Sequence, residues 1–134
     1  YYQICSGLLG RLCFSGEPDA LSAAQWSIID AGTAFYGKAA SIIDHGVSQR
    51  FGSRIVSYRA PRGWQAVVRR GETQTLVVVH TFGAAPEAVT LPVGGKITAQ
   101  LMRDGLTVTH PDGQLTVHGF TDFDAAAFIL ENEG

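Results

Sequence analysis

The sequence predicts a mainly β protein, in which an antiparallel β-sandwich of about eight strands follows a helix–strand–helix unit. Two observations indicate this fold class. A single long helical pattern runs from Leu21 to Gly46. After Gly46, apolar residues alternate with a period of two, in short segments separated by turn-forming residues.

The long helix has a clear predicted start. Ser22 is a good N-cap, and Gln25 three residues later can complete a capping box. Gly46 can take a positive φ and is expected to end the helix. Apolar residues recur with a period near 3.6, which predicts one broad buried face; they are Trp26, Ile29, Thr33, Tyr36, Ala40 and Ile43, widened by Ile28, Phe35 and Ile42.

Two glycines interrupt this helix, Gly32 and Gly37. Each costs about 1 kcal/mol relative to alanine in a helix interior. Either the cost is tolerated, or the glycine allows the backbone of a partner element to approach closely.

The segment before the helix has the order of parallel α/β structure. Residues 1–9 are consistent with the end of a helix, Arg11 to Phe14 form a short apolar run, and residues 15–19 are rich in turn formers. A single parallel strand cannot satisfy its own backbone groups. We therefore expect the neighbouring strands to lie upstream, and the chain to be cut from a longer one.

The remainder predicts eight strands. Leu76 to Val79 is a continuous apolar run, which is typical of a central strand covered on both faces. Residues 70–73 are a hairpin signal, and Asp-Gly pairs separate later strands. The predicted strands are 54–59, 64–70, 75–82, 88–92, 97–102, 106–109, 115–118 and 125–130.

The distribution of charge along the sequence indicates the domain division and the classes of partner that are not expected. Residues 1–46 carry two basic and four acidic side chains, and residues 47–134 carry eight of each. This shift favours two domains, 1–46 and 47–134. Neither part has the positive excess that phosphate neutralisation requires, so nucleic acid is not an expected partner. We expect a soluble chain without a signal peptide or membrane span, because neither pattern is present.

Cysteine and histidine patterns predict no metal site and no cofactor. Cys5 and Cys13 are too few for a disulfide framework and are expected to be buried thiols. The four histidines lack ligand spacing, and His45 is expected to interact with the helix dipole. The six arginines between residues 50 and 70 are expected to lie on a solvated sheet face, balanced by acids.

Glycoside hydrolysis needs two carboxylates that flank one bond. Glu17 and Asp19 lie in one short loop, which does not easily place them on opposite sides of a sugar. They are not assigned as a catalytic pair. They could still contact a ligand at the end of the preceding strand, or could simply be acids near a helix N-terminus.

The runs Gly7 to Gly16 and Ile42 to Gly46, together with Leu21-Ser22, Gln25-Trp26 and Phe35-Tyr36, resemble the end of the catalytic domain of melibiase-type α-galactosidases. These glycoside hydrolases consist of a (β/α)₈ barrel followed by an antiparallel β-sandwich. The resemblance implies that residues 11–14 are the eighth barrel strand and the Ser22 helix is the eighth barrel helix. Residues 47–134 would then be the C-terminal sandwich.

This resemblance also limits the site. The two catalytic aspartates of that family come from earlier barrel strands, which this chain does not contain, so no catalytic residue is carried over. Substrate contacts come from loops after the barrel strands, and the matching positions are Ser15, Gly16 and Glu17. The implied partner is a galactoside-like carbohydrate.

Two functions follow. The chain is either an inactive C-terminal part of a retaining glycosidase, with the sandwich bracing the barrel, or a carbohydrate- or protein-binding β-sandwich module. Exposed aromatic side chains on a sheet face would favour the second, and the candidates are Tyr58, Trp64 and Phe82. An uncovered barrel helix would also expose apolar surface, so self-association through residues 1–46 is expected.

Overall fold

A computed structural model describes residues 1–134 and contains two α-helices and eight strands. The helices are α1 (Tyr2–Gly7) and α2 (Ala23–His45), separated by a 3₁₀ turn at Pro18–Ala20. The strands are β1 (Val47–Gly52), β2 (Trp64–Arg70), β3 (Gln74–Thr81), β4 (Ala88–Leu91), β5 (Lys96–Leu101), β6 (Thr107–Thr109), β7 (Leu115–His118) and β8 (Ala125–Glu131).

The strands form two antiparallel sheets, so the predicted mainly β, sandwich-like class is confirmed. The larger sheet has the order β1-β2-β3-β8-β5, and the smaller has the order β4-β7-β6. Both sheets contribute to one apolar core, in which Val77 and Phe128 of the larger sheet are packed with Val89 and Leu115 of the smaller.

A second core lies on the other face of the larger sheet. Strand side chains alternate between faces, so Leu76 and Ile129 point away from the first core. They pack there with Phe35 and Ile42 of α2 and with Ile4 of α1. The protein is therefore built as three layers, with the five-stranded sheet in the middle and its central strands covered on both sides.

The register of β5 changes at one point. Its pairing with β8 shifts between Ile97 and Ala99, which indicates a β-bulge. Ile97 consequently packs against the core between the sheets, whereas Ala99 and Leu101 belong to the core beneath the helices. The bulge lets one edge strand contribute to both cores.

The start of α2 is as predicted. The Ser22 hydroxyl accepts from the Gln25 N–H at 3.2 Å, and the Gln25 side chain accepts from the Ser22 N–H at 2.8 Å. The helix ends at Gly46 as predicted, but the predicted reason, a positive φ at this glycine, was wrong. Gly46 has φ −74° because the chain passes directly into β1. Glycine is required there by space, since a Cβ would lie 2.6 Å from the Ile42 carbonyl oxygen.

Two strand predictions fail. Residues 54–59 alternate in burial but pair with no strand, and the first strand is instead Val47–Gly52. The predicted strand at Arg11 to Phe14 does not form either. A strand is defined by its neighbours, and this chain supplies none beside residues 11–14.

The buried face of α2 is rotated from the predicted one. Its fully buried residues are Gly32, Phe35, Ala39, Ile42 and Ile43. Trp26 and Thr33 are exposed instead. The small residues determine this rotation, because a Cβ on Gly32 would collide with the Ile4 side chain of α1. Gly32 thus allows α1 and α2 to approach each other closely, whereas Gly37 has no neighbour that would obstruct a Cβ.

Both helices share a core with the larger sheet, so the predicted division at residue 46 separates segments that pack together. Independent folding of residues 47–134, without the helices, stays a prediction.

The two helix glycines form a matched pair for a stability test. We expect Gly32→Ala to lower the free energy of unfolding by about 1–3 kcal/mol, because the new methyl overpacks the contact with Ile4. Gly37→Ala should raise it by up to about 1 kcal/mol through helix propensity alone. Urea unfolding of both variants measures this, and equal effects would contradict the assigned role of Gly32.

Candidate functional site

The predicted site loop borders an open cleft above the first half of α2. The cleft has a volume of about 540 Å³. One wall is formed by the loop, including Ser15, Gly16 and Glu17, and the other residues come from the 3₁₀ turn and α2. The complete lining is Phe14, Ser15, Gly16, Glu17, Pro18, Leu21, Trp26, Ile29, Asp30 and Thr33.

Local backbone geometry positions this loop. Gly16 has φ +110°, a conformation that favours glycine, and Pro18 begins the 3₁₀ turn that leads to the capped end of α2. The three predicted residues, Ser15, Gly16 and Glu17, are all exposed and all line the same cleft. Asp19, in the turn, is exposed but does not line it.

The side chains at this cleft suit binding better than acid–base chemistry. Glu17 and Asp30 offer carboxylate oxygens that form no hydrogen bond or ion pair within the chain. Trp26, with 41% of its surface exposed, presents an aromatic ring beside them. Such a surface can accept hydrogen bonds from hydroxyl groups and stack on an apolar face. Nothing holds either carboxylate in a defined orientation.

A second cleft of about 800 Å³ is lined in part by residues 12–15, which continue into the site loop. Most of its lining residues are hydrophobic, and they include Tyr1 and Ile4 of the α1 region together with Leu12, Cys13 and Ile28. Residues 12–15 therefore lie between α2 and solvent with clefts beside them, and Phe14 is 58% exposed. This part of the molecule leaves considerable apolar surface uncovered.

Sequence reasoning missed Phe14, Trp26 and Asp30 as cleft residues. Trp26 was assigned to the buried face because apolar residues alone defined that face. The spacing of Trp26, Asp30 and Thr33 is a helical stripe and could have identified a second, mixed face.

A serine–histidine pair also forms, between residues distant in sequence. The Ser6 hydroxyl lies 3.1 Å from His80 Nε2, which lies 3.1 Å from the Tyr2 carbonyl oxygen. A carbonyl only accepts, so Nε2 carries the proton and donates it. The Ser6 hydroxyl itself donates to the same carbonyl at 3.0 Å. Nε2 therefore cannot accept the Ser6 proton, and the arrangement anchors α1 to β3.

Burial lowers the pKa of His80, against the opposing effect of its hydrogen bond to the Tyr2 backbone. The ring also packs edge-on against Tyr2, with centroids 4.8 Å apart. His80 is thus a neutral, hydrogen-bonded core histidine, as its place in an apolar strand indicates.

The buried carboxylate of Asp124 has a structural role. Arg103 donates to its Oδ2 through Nη2 at 2.7 Å and Nε at 3.0 Å. Burial by itself raises the pKa of Asp124, but the hydrogen bonds from Arg103 and from the Thr121 and Ala125 N–H groups hold it below its usual value. The pair joins the segment after β5 to the turn before β8.

The remaining predicted residues are dispersed. Burial raises the pKa of the Cys5 thiol to about 12, but Cys13 is exposed, so the burial prediction for it was wrong. Burial of Cys13 was predicted from the residue type alone, but no helix or strand covers the segment around it. His45, in the last turn of α2, lies 3.3 Å from the Ser41 carbonyl oxygen. No group of three or more His, Cys, Asp or Glu side chains comes together.

The candidate stacking aromatics do not share a surface. Trp64 packs against the core between the sheets, and Phe82 lies against Tyr2 with ring centroids 6.5 Å apart. Tyr58 is 95% exposed, but it lies in the loop between β1 and β2. They do not form an aromatic platform on one sheet face.

The fold and clefts define a helix-covered antiparallel β-sandwich with a ligand-accessible loop. Comparison with protein-family models gave no match, and comparison with curated proteins gave none either. Neither helix combines the length and the apolar character needed to cross a membrane.

The anchoring role of His80 predicts a pH dependence of stability. Its pKa in the folded chain lies below the ordinary value of 6.5, so below that pH the unfolded chain takes up more protons and the free energy of unfolding falls. In His80→Gln the amide can still donate to Tyr2 but does not titrate. We expect the variant to lose less stability than the native chain between about pH 7.5 and about pH 5.5. Urea unfolding at both pH values measures this, and parallel losses would contradict it.

The exposed face of α2 predicts how residues 1–46 behave. Trp26→Ala should lower the free energy of unfolding by less than about 1 kcal/mol, whereas Phe35→Ala, in the core, should cost about 3–5 kcal/mol.

Light scattering should show concentration-dependent self-association that decreases when Phe14 and Trp26 are both changed to Ser, because the contiguous apolar surface is then interrupted. A native chain that is monomeric at all concentrations would refute the self-association.

Proposed function

We propose that this chain is the C-terminal portion of a retaining glycoside hydrolase similar to melibiase-type α-galactosidases. In this proposal the sandwich braces a (β/α)₈ barrel, and the loop around Ser15, Gly16 and Glu17 borders its sugar site. The observation that carries the proposal concerns residues 11–16, the extended segment that precedes the capped helix α2. Its backbone forms no hydrogen bonds within the chain.

The backbone of this segment lacks partners. No N–H or carbonyl group of residues 11–16 is hydrogen-bonded within the chain. In a parallel barrel such a segment would be a strand, with a neighbour on each side to pair these groups. An eighth strand without its neighbours would show this lack of pairing.

Helix α2 supports the proposal through its two faces. Phe35, Ala39 and Ile42 pack on the five-stranded sheet. Trp26, which is 41% exposed, instead lines the cleft beneath the extended segment. Ile29 lies between the two faces, since it lines this cleft and also packs against the core. A helix that belongs to a barrel and also contacts a following sandwich needs two such faces. The sandwich would then brace the barrel through α2.

The catalytic assignments follow from the same proposal. Glu17 is the only predicted substrate contact with a charge, and it belongs to an exposed loop. The nucleophile and the acid/base would come from earlier barrel strands. This chain alone would then bind sugar weakly and catalyse no hydrolysis.

The alternative is a carbohydrate- or protein-binding sandwich module, and its carbohydrate-binding form has less support. Sugar stacking requires aromatic side chains displayed on a sheet face, and Trp64 and Phe82 are instead partly buried against the core and Tyr2.

The proposal predicts that the purified chain does not release nitrophenol from aryl α-galactosides. The sequence encoded ahead of Tyr1 should also contain seven strand–helix units, with an aspartate at the end of two of the strands. Turnover that copurifies with the chain and is lost in Glu17→Gln would refute it. An unrelated upstream sequence would refute it independently. Asp19→Asn, which changes a neighbouring carboxylate outside the cleft, serves as the matched control.

A further inference from the structure

The outer edge of the five-stranded sheet at β1 is open. β1 pairs with β2 over six residues without a register shift, and no strand lies on its other side. The opposite edge, β5, is interrupted by its bulge. Bulges protect an edge from further pairing, so within this sheet only β1 offers a regular ladder of free backbone groups.

One hydrogen bond shows which residues of β1 have backbone groups that point away from β2. The Ser53 N–H donates to the Trp64 carbonyl at 2.8 Å. Since backbone bonds alternate in antiparallel pairs, Ser48, Arg50 and Gly52 direct their N–H and C=O groups away from β2. These three residues form the free edge.

Positive charge is concentrated in β1, β2 and the loop that joins them. Residues 46–71 contain six arginines and no Asp or Glu, whereas the rest of the chain carries four basic and twelve acidic side chains. The expectation that these arginines are balanced by acids was wrong, because none of them forms an ion pair. Lack of a carboxylate within this stretch of sequence is the local reason.

Four of the six arginines are free. Arg69 is used internally, since its Nε donates to the Ile42 carbonyl at the end of α2, and Arg70 donates to Gln49. The side chains of Arg50, Arg54, Arg59 and Arg62 are exposed and form no hydrogen bond. Val56 and Tyr58, 88% and 95% exposed, lie between Arg54 and Arg59 in the sequence of the loop.

We propose that β1 and the loop that follows it bind an extended acidic polypeptide segment by strand addition. The free N–H and C=O groups of Ser48, Arg50 and Gly52 would pair with the backbone of the added segment. Its carboxylates would meet Arg50 and Arg54, and its apolar side chains would meet Val56 and Tyr58. This inference does not depend on the proposed glycosidase origin.

The free edge distinguishes this occupant from others. A nucleic acid could neutralise the arginines but has no repeating donor–acceptor backbone to pair with a strand. A second copy joined β1 to β1 would bring two positively charged edges together, which is unfavourable because like charges repel across a strand pair. An acidic extended polypeptide satisfies both the backbone and the charge.

The test uses the intact chain and a fluorescein-labelled peptide of alternating glutamate and valine, with binding followed by anisotropy. We expect the dissociation constant to rise up to about fivefold for each of Arg50→Gln and Arg54→Gln. Lys96→Gln removes one charge from the β5 edge and should leave binding unchanged. The same peptide with alternate backbone nitrogens methylated should not bind.

Three outcomes would overturn the proposal. Equal binding of the methylated peptide would show that backbone pairing plays no part. Tighter binding of a single-stranded oligonucleotide of equal charge would assign the surface to nucleic acid. No binding of either probe would show that the arginines only protect the edge from pairing.

Discussion

The fold depends on the double burial of β3 and β8 at the centre of the larger sheet. Val77 and Phe128 face the smaller sheet, while Leu76 and Ile129 face the helices. Because side chains alternate along a strand, a slip of one residue would exchange these two sets between cores of different shape. Two layers must therefore cover this pair of strands, and the helices supply one of them. Removal of either layer would expose a row of large apolar side chains.

Close approach of the helices determines which face of α2 supplies that layer. Gly32 admits Ile4 of α1, and Ala39 is fully buried in the same core. Bulky residues at these positions would displace α2 from the sheet. The helix consequently turns Trp26 away from the sandwich and toward the loop that contains Ser15 to Glu17. The packing requirement of the core thus produces the cleft.

Local signals in the sequence predicted the features that are locally determined. The capping box at Ser22 and Gln25, the β2–β3 hairpin and the buried run in β3 all involve neighbouring residues. The failures involve partners distant in the chain. β1 is exposed and polar, so only its pairing with β2 reveals it. The rotation of α2 depends on Ile4, and the Ser6–His80 contact joins residues 74 positions apart. Residues 15–17 were predicted as substrate contacts from the family resemblance and stay a prediction, whereas Trp26, which lines the same cleft, was not predicted there.

Two stretches of backbone, residues 11–16 and the outer edge of β1, lack partners within the chain, and their surroundings call for different partners. Phe14 and Trp26 leave apolar surface exposed beside the first. Burial of apolar area is insensitive to ionic strength and favours a permanent contact, such as a packed domain. Exposed arginines lie in β1 and in the loop that follows it, and exposed charges attract at long range but are screened by salt. Contacts of that kind form and dissociate readily. The two proposed roles therefore differ in kind, because the first requires a permanent contact with a larger fold and the second requires reversible recognition.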